Sequence, residues 1–138
     1  MSLQRTRQSD TRNRRGVAAV EFAVCLPIIA VLVIGTIEAC SMVYLKQSVT
    51  ISAYEGIRTA IAAGATESDV RTTCQNILDA RKVDGATITI SPSSWESAAQ
   101  RSWITVKVTA PGGNNTAITG WFYDTLVVDG EATMMKEF

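Results

Sequence analysis

An apolar run at residues 17–37 sets the strongest constraint on what this chain folds into. The run contains 21 residues and one ionisable side chain, Glu21. At about 1.5 Å of rise per residue, a helix of this length spans roughly 30 Å, the thickness of the hydrocarbon core of a bilayer. The run therefore predicts one membrane-spanning helix, with a local kink or loosening at Pro27, where one helical hydrogen bond is lost.

The residues before the run are basic. Residues 1–16 contain five arginines and one aspartate, a net charge of +4, while the whole chain has a formal net charge of zero. Arginines that directly precede a membrane-length apolar run favour a cytoplasmic N-terminus, and Arg12, Arg14 and Arg15 lie closest to it. Aromatic residues do not alternate with these arginines, so we expect no nucleic-acid binding. Residues 1–15 are polar and without periodicity, which predicts a leader that is disordered in isolation.

The composition argues against an enzyme. The chain contains no histidine, which removes the commonest general base and the commonest metal ligand. The glycine pair in residues 111–115 lacks the lysine and the strand-to-helix context of a phosphate-binding loop. We expect no catalytic residues, no metal site and no cofactor.

The three cysteines, Cys25, Cys40 and Cys74, are too far apart in sequence for a typical zinc-binding pattern. Cys25 lies within the apolar run, where it is most simply a small hydrophobic residue. If the residues beyond the run face an oxidising compartment, Cys40 and Cys74 are candidates for a disulfide. The sequence does not show whether their Cα atoms come close enough to pair.

The first helix is predicted to continue well beyond the apolar run. Glu38 ends the run, but nothing stops a helix before Gly64, so we predict a single helix over residues 17–63. In its outer half, four apolar residues share one face and are predicted to cover a small domain. These residues are Ile51, Tyr54, Ile57 and Ile61.

A second helix is predicted after Gly64. Thr66 is a suitable N-cap, Asp69 lies in the first turn, and Asp84-Gly85 forms a turn after the helix. The apolar residues in this segment have helical spacing and predict one buried face. They are Val70, Cys74, Ile77 and Leu78.

The remaining chain has a period of two, which is typical of strands with one buried and one exposed face. Alternating residues predict strands at 86–90, 103–108 and 126–135. Asp129-Gly130 is also a hairpin signal, but the alternation continues through it, so we predict a continuous strand bulged at the glycine. The predicted fold class is α+β, with two helices and a small antiparallel sheet of about three strands.

The junction between the leader and the apolar run has several interpretations. The run is too long for an ordinary secretory signal, and Glu38 occupies a position where a lipoprotein signal ending at Cys40 would have a small residue. The simplest remaining interpretation is an uncleaved anchor, in which Glu21 lies about one turn from the interface and snorkels to it.

A more specific interpretation comes from "RRGVAAVEF", residues 14–22. This string resembles the processing site of type IV prepilins, where a membrane peptidase cuts after a glycine and leaves glutamate as the fifth mature residue. The longer string "RRGVAAVEFAVCLP" resembles the TadE family of pseudopilins in tight-adherence (type IVc) pilus systems. "AYEGIRTA", residues 53–60, is similar to a motif of the same family, and "EATMMKE" near the end is a weaker similarity. Phe22 stands where many small pilins have tyrosine, which fits TadE-like proteins better.

The resemblance implies cleavage between Gly16 and Val17, with Glu21 as the fifth mature residue. It divides the chain into a leader (1–16), a transmembrane half-helix (17–38) and an extracytoplasmic pilin-like domain (39–138). Glycine has no side chain and weakens a helix, so we expect extended, accessible backbone at the cleavage site. Cleavage would create an amine on Val17 that can pair with Glu21 of a neighbouring subunit. Two groups that are costly to bury alone are tolerated as a pair, which would hold the register of a filament.

The leading hypothesis is therefore a TadE-like minor pilin or pseudopilin of pili used in surface attachment. Its expected partners are a prepilin peptidase, other pilin subunits, an inner-membrane assembly platform and membrane lipid. The expected location is the inner membrane, with incorporation into a pilus after processing. The alternative is an uncleaved, single-pass binding module whose function does not depend on Glu21.

Overall fold

The computed structural model of the protein describes residues 7–118 and 122–137, with side chains from Gly16 onward. Two helices precede a three-stranded sheet, which confirms the predicted α+β class. The helices are α1 (Arg7–Ala60) and α2 (Glu67–Ala80), and the strands are β1 (Thr87–Ser91), β2 (Trp103–Pro111) and β3 (Val127–Met135). Short 3-10 turns lie at Trp95–Ser97 and Gly113–Asn115.

The long first helix is confirmed, but it begins earlier than predicted. α1 begins at Arg7, so residues 7–15, which were predicted to be disordered in isolation, are helical in the whole chain, and residues 1–6 lie outside the described part of the chain. Adding a residue to an existing helix fixes one residue for one new hydrogen bond, and Arg and Gln are good helix formers. The helix therefore extends from the apolar run into the leader. At its other end, α1 stops at Ala60, and Gly64 adopts a positive φ of 79° in the following turn.

The chain divides into two units at residue 36. The first unit ends at Thr36, and its described part is the N-terminal portion of α1, where the apolar side chains are exposed. The second unit begins at Ile37 and contains α2, the sheet and the whole hydrophobic core.

The face of α1 that contacts the core differs from the predicted face. Ile51 and Tyr54 are exposed, whereas Ile57 is fully buried and Ile61 packs at the edge of the core. The buried face instead combines apolar residues with small ones, because small side chains let α2 and the sheet approach the helix backbone. Its members are Leu45, Ser48, Val49, Ser52, Ala53, Gly56, Ile57 and Ala60.

α2 forms as the sequence predicts. The Thr66 hydroxyl accepts a hydrogen bond from the Asp69 amide at 3.3 Å, and the Thr66 amide donates to the Asp69 carboxylate at 3.0 Å. This capping box satisfies two backbone donors at the start of the helix, and the hydrogen bonds from Thr66 lower the pKa of Asp69. Val70, Cys74 and Leu78 are fully buried, and Ile77 is half-buried.

The sheet is antiparallel with the strand order β1-β2-β3. On β2, alternate residues are buried from Ile104 to Ala110, as the period of two predicts. β3 is continuous through Asp129-Gly130, which confirms a strand in place of a hairpin. Each residue from Val127 to Met135 has one partner on β2, so the predicted bulge at Gly130 is absent.

At Gly130, β3 approaches the backbone of α1 closely. A Cβ atom at this position would lie 2.5 Å from the Thr50 nitrogen and 2.6 Å from the Val49 carbonyl carbon. A Cβ at Gly56 would instead collide with the Cys74 sulfur and approach a methyl group of Val106 at 3.3 Å. Both glycines are thus required by close contacts, and at Gly130 the contact is with helix backbone.

Replacing these glycines should destabilise the fold to different extents. Overpacking a core typically lowers the free energy of unfolding by about 1–3 kcal/mol. Gly130→Ala should lower it by more than this, because the α1 backbone cannot rotate away as a side chain can. Gly56→Ala should fall within that range, because the Cys74 side chain can adjust. Thermal unfolding of the full chain in detergent, followed by near-ultraviolet circular dichroism, would measure both. The exposed neighbour variant Glu131→Ala should lie within about 0.5 kcal/mol of the native protein, and equal stability of Gly130→Ala and Glu131→Ala would contradict the packing argument.

Candidate processing and assembly site

The structure places Gly16 inside α1, nine residues after the first residue of the helix. The prediction of extended backbone at this glycine is therefore wrong. The side of the backbone where a Cβ would project is open, with no heavy atom within 4 Å outside the helix itself. A peptidase would have to unwind the helix locally, and glycine eases this because it is about 1 kcal/mol less favourable than alanine in a helix.

Val17 and Glu21 lie one turn apart on α1, and both side chains are exposed. Residues four apart share one face of a helix, so an amine created on Val17 would lie on the same side as the Glu21 carboxylate. The backbone of Arg12, Arg14 and Arg15 continues the helix before this site. Their side chains lie outside the described part of the structure.

The apolar part of α1 has the properties of a membrane span. Within the described residues, one helical stretch, Gly16–Ala60, is long and apolar enough to cross a bilayer, and its most apolar window is entirely exposed. Exposed apolar side chains on this scale are unfavourable in water. This helix fits a membrane-anchored protein.

The cysteines do not form the candidate disulfide. All three are free thiols, with Cys25 and Cys40 exposed and Cys74 buried. The Cys74 thiol donates to the Ser52 carbonyl at 3.4 Å, and burial raises the pKa of this thiol. Ser52 lies twelve residues beyond Cys40 on α1, about 18 Å along the helix. A disulfide requires Cα atoms within about 7 Å, so this fold separates Cys40 from Cys74.

Glu38, which ends the apolar run, is a further functional candidate that the structure reveals. Its side chain is fully buried, and its carboxylate accepts a hydrogen bond from the Phe122 amide at 3.0 Å. One turn further along, the Ser41 hydroxyl accepts a hydrogen bond from the Ala117 amide at 3.4 Å. These two side chains of α1 hold the segments on either side of residues 119–121.

The position of Glu38 had a signal in the sequence. Glu38 precedes Met42 by four residues and Leu45 by seven, so helical spacing places it on the buried face. A carboxylate on that face is costly unless it receives hydrogen bonds. This spacing is a signal that could have indicated a buried acid, whereas its partner, 84 positions away in the chain, has no signal in the sequence.

A second polar connection joins α1 to β3. The Lys46 ammonium donates to the Asp129 carbonyl oxygen and lies 3.7 Å from the Asp129 carboxylate. Lys107 on β2 approaches the same carboxylate at 3.4 Å, and these lysines lower the pKa of Asp129. Asp129 is exposed, so its ion pairs with the two lysines contribute little to the stability of the fold and mainly orient β3. Among the described residues, no group of three or more His, Cys, Asp or Glu side chains is arranged to hold a metal ion.

A known protein family matches the segment that contains Gly16, Val17 and Glu21. The family model described as TadE-like protein matches residues 16–58, from the candidate cleavage glycine to the outer part of α1. The TadE-like resemblance is thus confirmed over this segment, and together with the apolar helix it fits a membrane protein related to tight-adherence pili. Searches of curated proteins and of solved structures found no match.

Glu38 provides a direct test of the contact between α1 and the loop. Glu38→Ala removes the acceptor of the Phe122 amide, and losing a hydrogen bond to a charged group costs about 1.5–3 kcal/mol. We expect faster exchange of the Phe122 amide hydrogen and faster proteolysis of the residues that follow Phe122 in the loop. Glu38→Gln retains a carbonyl acceptor and should have a smaller effect. Glu55→Ala, on the same helix, is the control. If the Phe122 amide in Glu38→Ala exchanged at the same rate as in the native protein, the hydrogen bond between Glu38 and Phe122 would not hold the loop.

Proposed function

We propose that this protein is a TadE-like minor pilin or pseudopilin, a structural subunit for the assembly of tight-adherence (type IVc) pili used in surface attachment. The family match over residues 16–58 carries the proposal, because it spans the candidate cleavage site, Glu21 and the apolar helix together. The role proposed is structural, with no catalytic step.

The proposed topology follows from charge. Arg12, Arg14 and Arg15 remain in the cytoplasm, and the domain beyond residue 38 lies outside the inner membrane, in accordance with the positive-inside rule. A prepilin peptidase removes residues 1–16 at the cytoplasmic end of the helix. The remaining helix then anchors the subunit beside the assembly platform until it enters a pilus.

The proposed assembly step uses two groups at the start of the processed helix. Cleavage after Gly16 gives Val17 a positively charged amine, and Glu21 of another subunit supplies the opposite charge. Because each group is costly to bury alone, the pair favours one axial stagger between packed helices. The exposed apolar side chains of the same segment would be covered by neighbouring helices, which favours lateral packing.

An alternative is an uncleaved anchor that presents the α+β domain as a binding module. It explains the exposed apolar helix equally well. It does not explain why the family match begins at Gly16 or why Glu21 lies inside the apolar run, except as a snorkelling side chain. The two proposals differ in whether the chain is shortened and whether Glu21 matters.

Processing is tested by the intact mass of the protein purified from cells. With an active prepilin peptidase, we expect a chain that begins at Val17. Without the peptidase, or with Gly16→Val, which replaces the flexible residue with a β-branched one, the mass should include residues 1–16. If cells with and without the peptidase yield the same uncleaved mass, the processing proposal fails and the anchor is favoured.

The role of Glu21 is tested by substitution. Glu21→Ala should leave membrane insertion unchanged but strongly reduce incorporation into pili. The Val17 amine would then be buried without its partner, a loss of about 3–5 kcal/mol. Pilus fractions sheared from cells and probed for the protein would measure incorporation. Val20→Ala, an exposed neighbour on the same turn, is the matched control, and equal incorporation of the two variants would support the binding module.

A further inference from the structure

An exposed apolar patch lies on the second unit, where α1 meets the beginning of β3. It consists of Val43, Leu126 and Val127, and we call it the juxtamembrane patch. These residues line a shallow groove of about 410 Å³, together with the buried Met42. Phe122, four residues before Leu126, is also exposed.

The patch is close to the end of the apolar run. Val43 lies six residues beyond Ile37 on α1, which corresponds to about 9 Å of helical rise. The Phe122 amide is closer still, since it is hydrogen-bonded to Glu38. The headgroup layer on each side of a bilayer is roughly 5–8 Å thick, so Val43, about 9 Å from the end of the run, lies at the outer surface of this layer and the Phe122 amide lies within it.

We propose that the juxtamembrane patch rests in the lipid headgroup region of the membrane that residues 17–37 span. The partner is thus the bilayer surface, and the inference rests on the membrane insertion in the proposed function, but not on cleavage or pilus formation. The domain would be attached to the membrane at two places, through α1 and through the beginning of β3. It would have to release the second attachment before leaving the membrane.

Physical properties of the patch fit this partner. Aliphatic and aromatic side chains that are unfavourable in water gain free energy at the boundary between headgroups and acyl chains. Lys46 and Asp129, the two charged residues that line the same groove, are paired with each other. Ile37, the last residue of the apolar run, belongs to the same unit as the patch, so the end of the run and the patch are linked by about 9 Å of continuous helix.

The opposite end of the sheet offers a matched control. Val127 pairs with Pro111 at one end of the β2–β3 ladder, and Trp103 pairs with Met135 at the other. The exposed fractions of Val127 and Trp103 are nearly equal, 63% and 65%. Eight residues of strand separate the two ends, about 26 Å. A label at either position therefore experiences similar exposure to solvent in the protein but a different distance from the proposed membrane surface.

The experiment uses the full chain in phosphatidylcholine and phosphatidylglycerol vesicles. In a Cys25→Ser, Cys40→Ser background, Val127→Cys and Trp103→Cys are each labelled with an environment-sensitive fluorophore. Cys74 remains, because its buried, poorly ionised thiol reacts slowly. We expect the label at position 127 to emit at shorter wavelength, to be quenched by a headgroup-attached nitroxide, and to be quenched by aqueous iodide several-fold less than the label at 103. Val43→Cys provides a second position in the patch.

Each other outcome overturns the inference in a distinct way. Equal iodide quenching at 127 and 103 would mean that the patch faces water. Protection at 127 that disappears as the lipid-to-protein ratio rises would assign the patch to a second copy of the chain. A label at Val24→Cys reports insertion of the helix, and if it is open to iodide, the proposed membrane insertion fails together with this inference. If Val24 is protected but Val127 is not, only the inference fails.

Discussion

The contact between the α1 backbone and β3 at Gly130 is the constraint on which the domain depends. A side chain at this position would overlap the helix backbone at Val49 and Thr50, so the sheet reaches α1 only because glycine is there. Small residues continue this contact along the helix, and Gly56 leaves room for Cys74 of α2 and Val106 of β2. The core is thus assembled around a helix whose buried face contains several small residues.

Polar side chains of α1 also bind β3 and the segments that precede it. Lys46 binds the Asp129 carbonyl next to Gly130, which connects the helix to the adjacent residue of the strand. Nearer the apolar run, Glu38 and Ser41 hold backbone amides of the segments that precede β3. The Glu38 carboxylate is buried and therefore needs hydrogen-bond donors, and the Phe122 amide supplies one of them.

The same helix also carries the chemistry of the proposed assembly. Glu21 is expensive in a membrane, and the amine that would pair with it exists only after cleavage. In the proposed assembly, processing and packing would therefore be linked through one carboxylate, and a subunit that keeps its leader would lack the positive group at Val17. Because Gly16 lies within α1, a peptidase would also have to unwind the helix locally to reach the proposed cleavage site. The family match extends over the same residues, 16–58.

The sequence by itself determined the features that depend on near neighbours in the chain. The length of the apolar run, the capping box of Thr66 and Asp69, and the alternation along β2 and β3 are local, and the structure has each of them. Only the tertiary structure decided which face of α1 is buried, since Ile51 and Tyr54 are exposed although Ile51 is more apolar than the buried Ser48 and Ser52. The deciding factor is the close approach of α2 and the sheet, which selects small residues. The partner of Glu38 and the separation of Cys40 from Cys74 are likewise set by how distant segments pack, and helical periodicity contains no information about that.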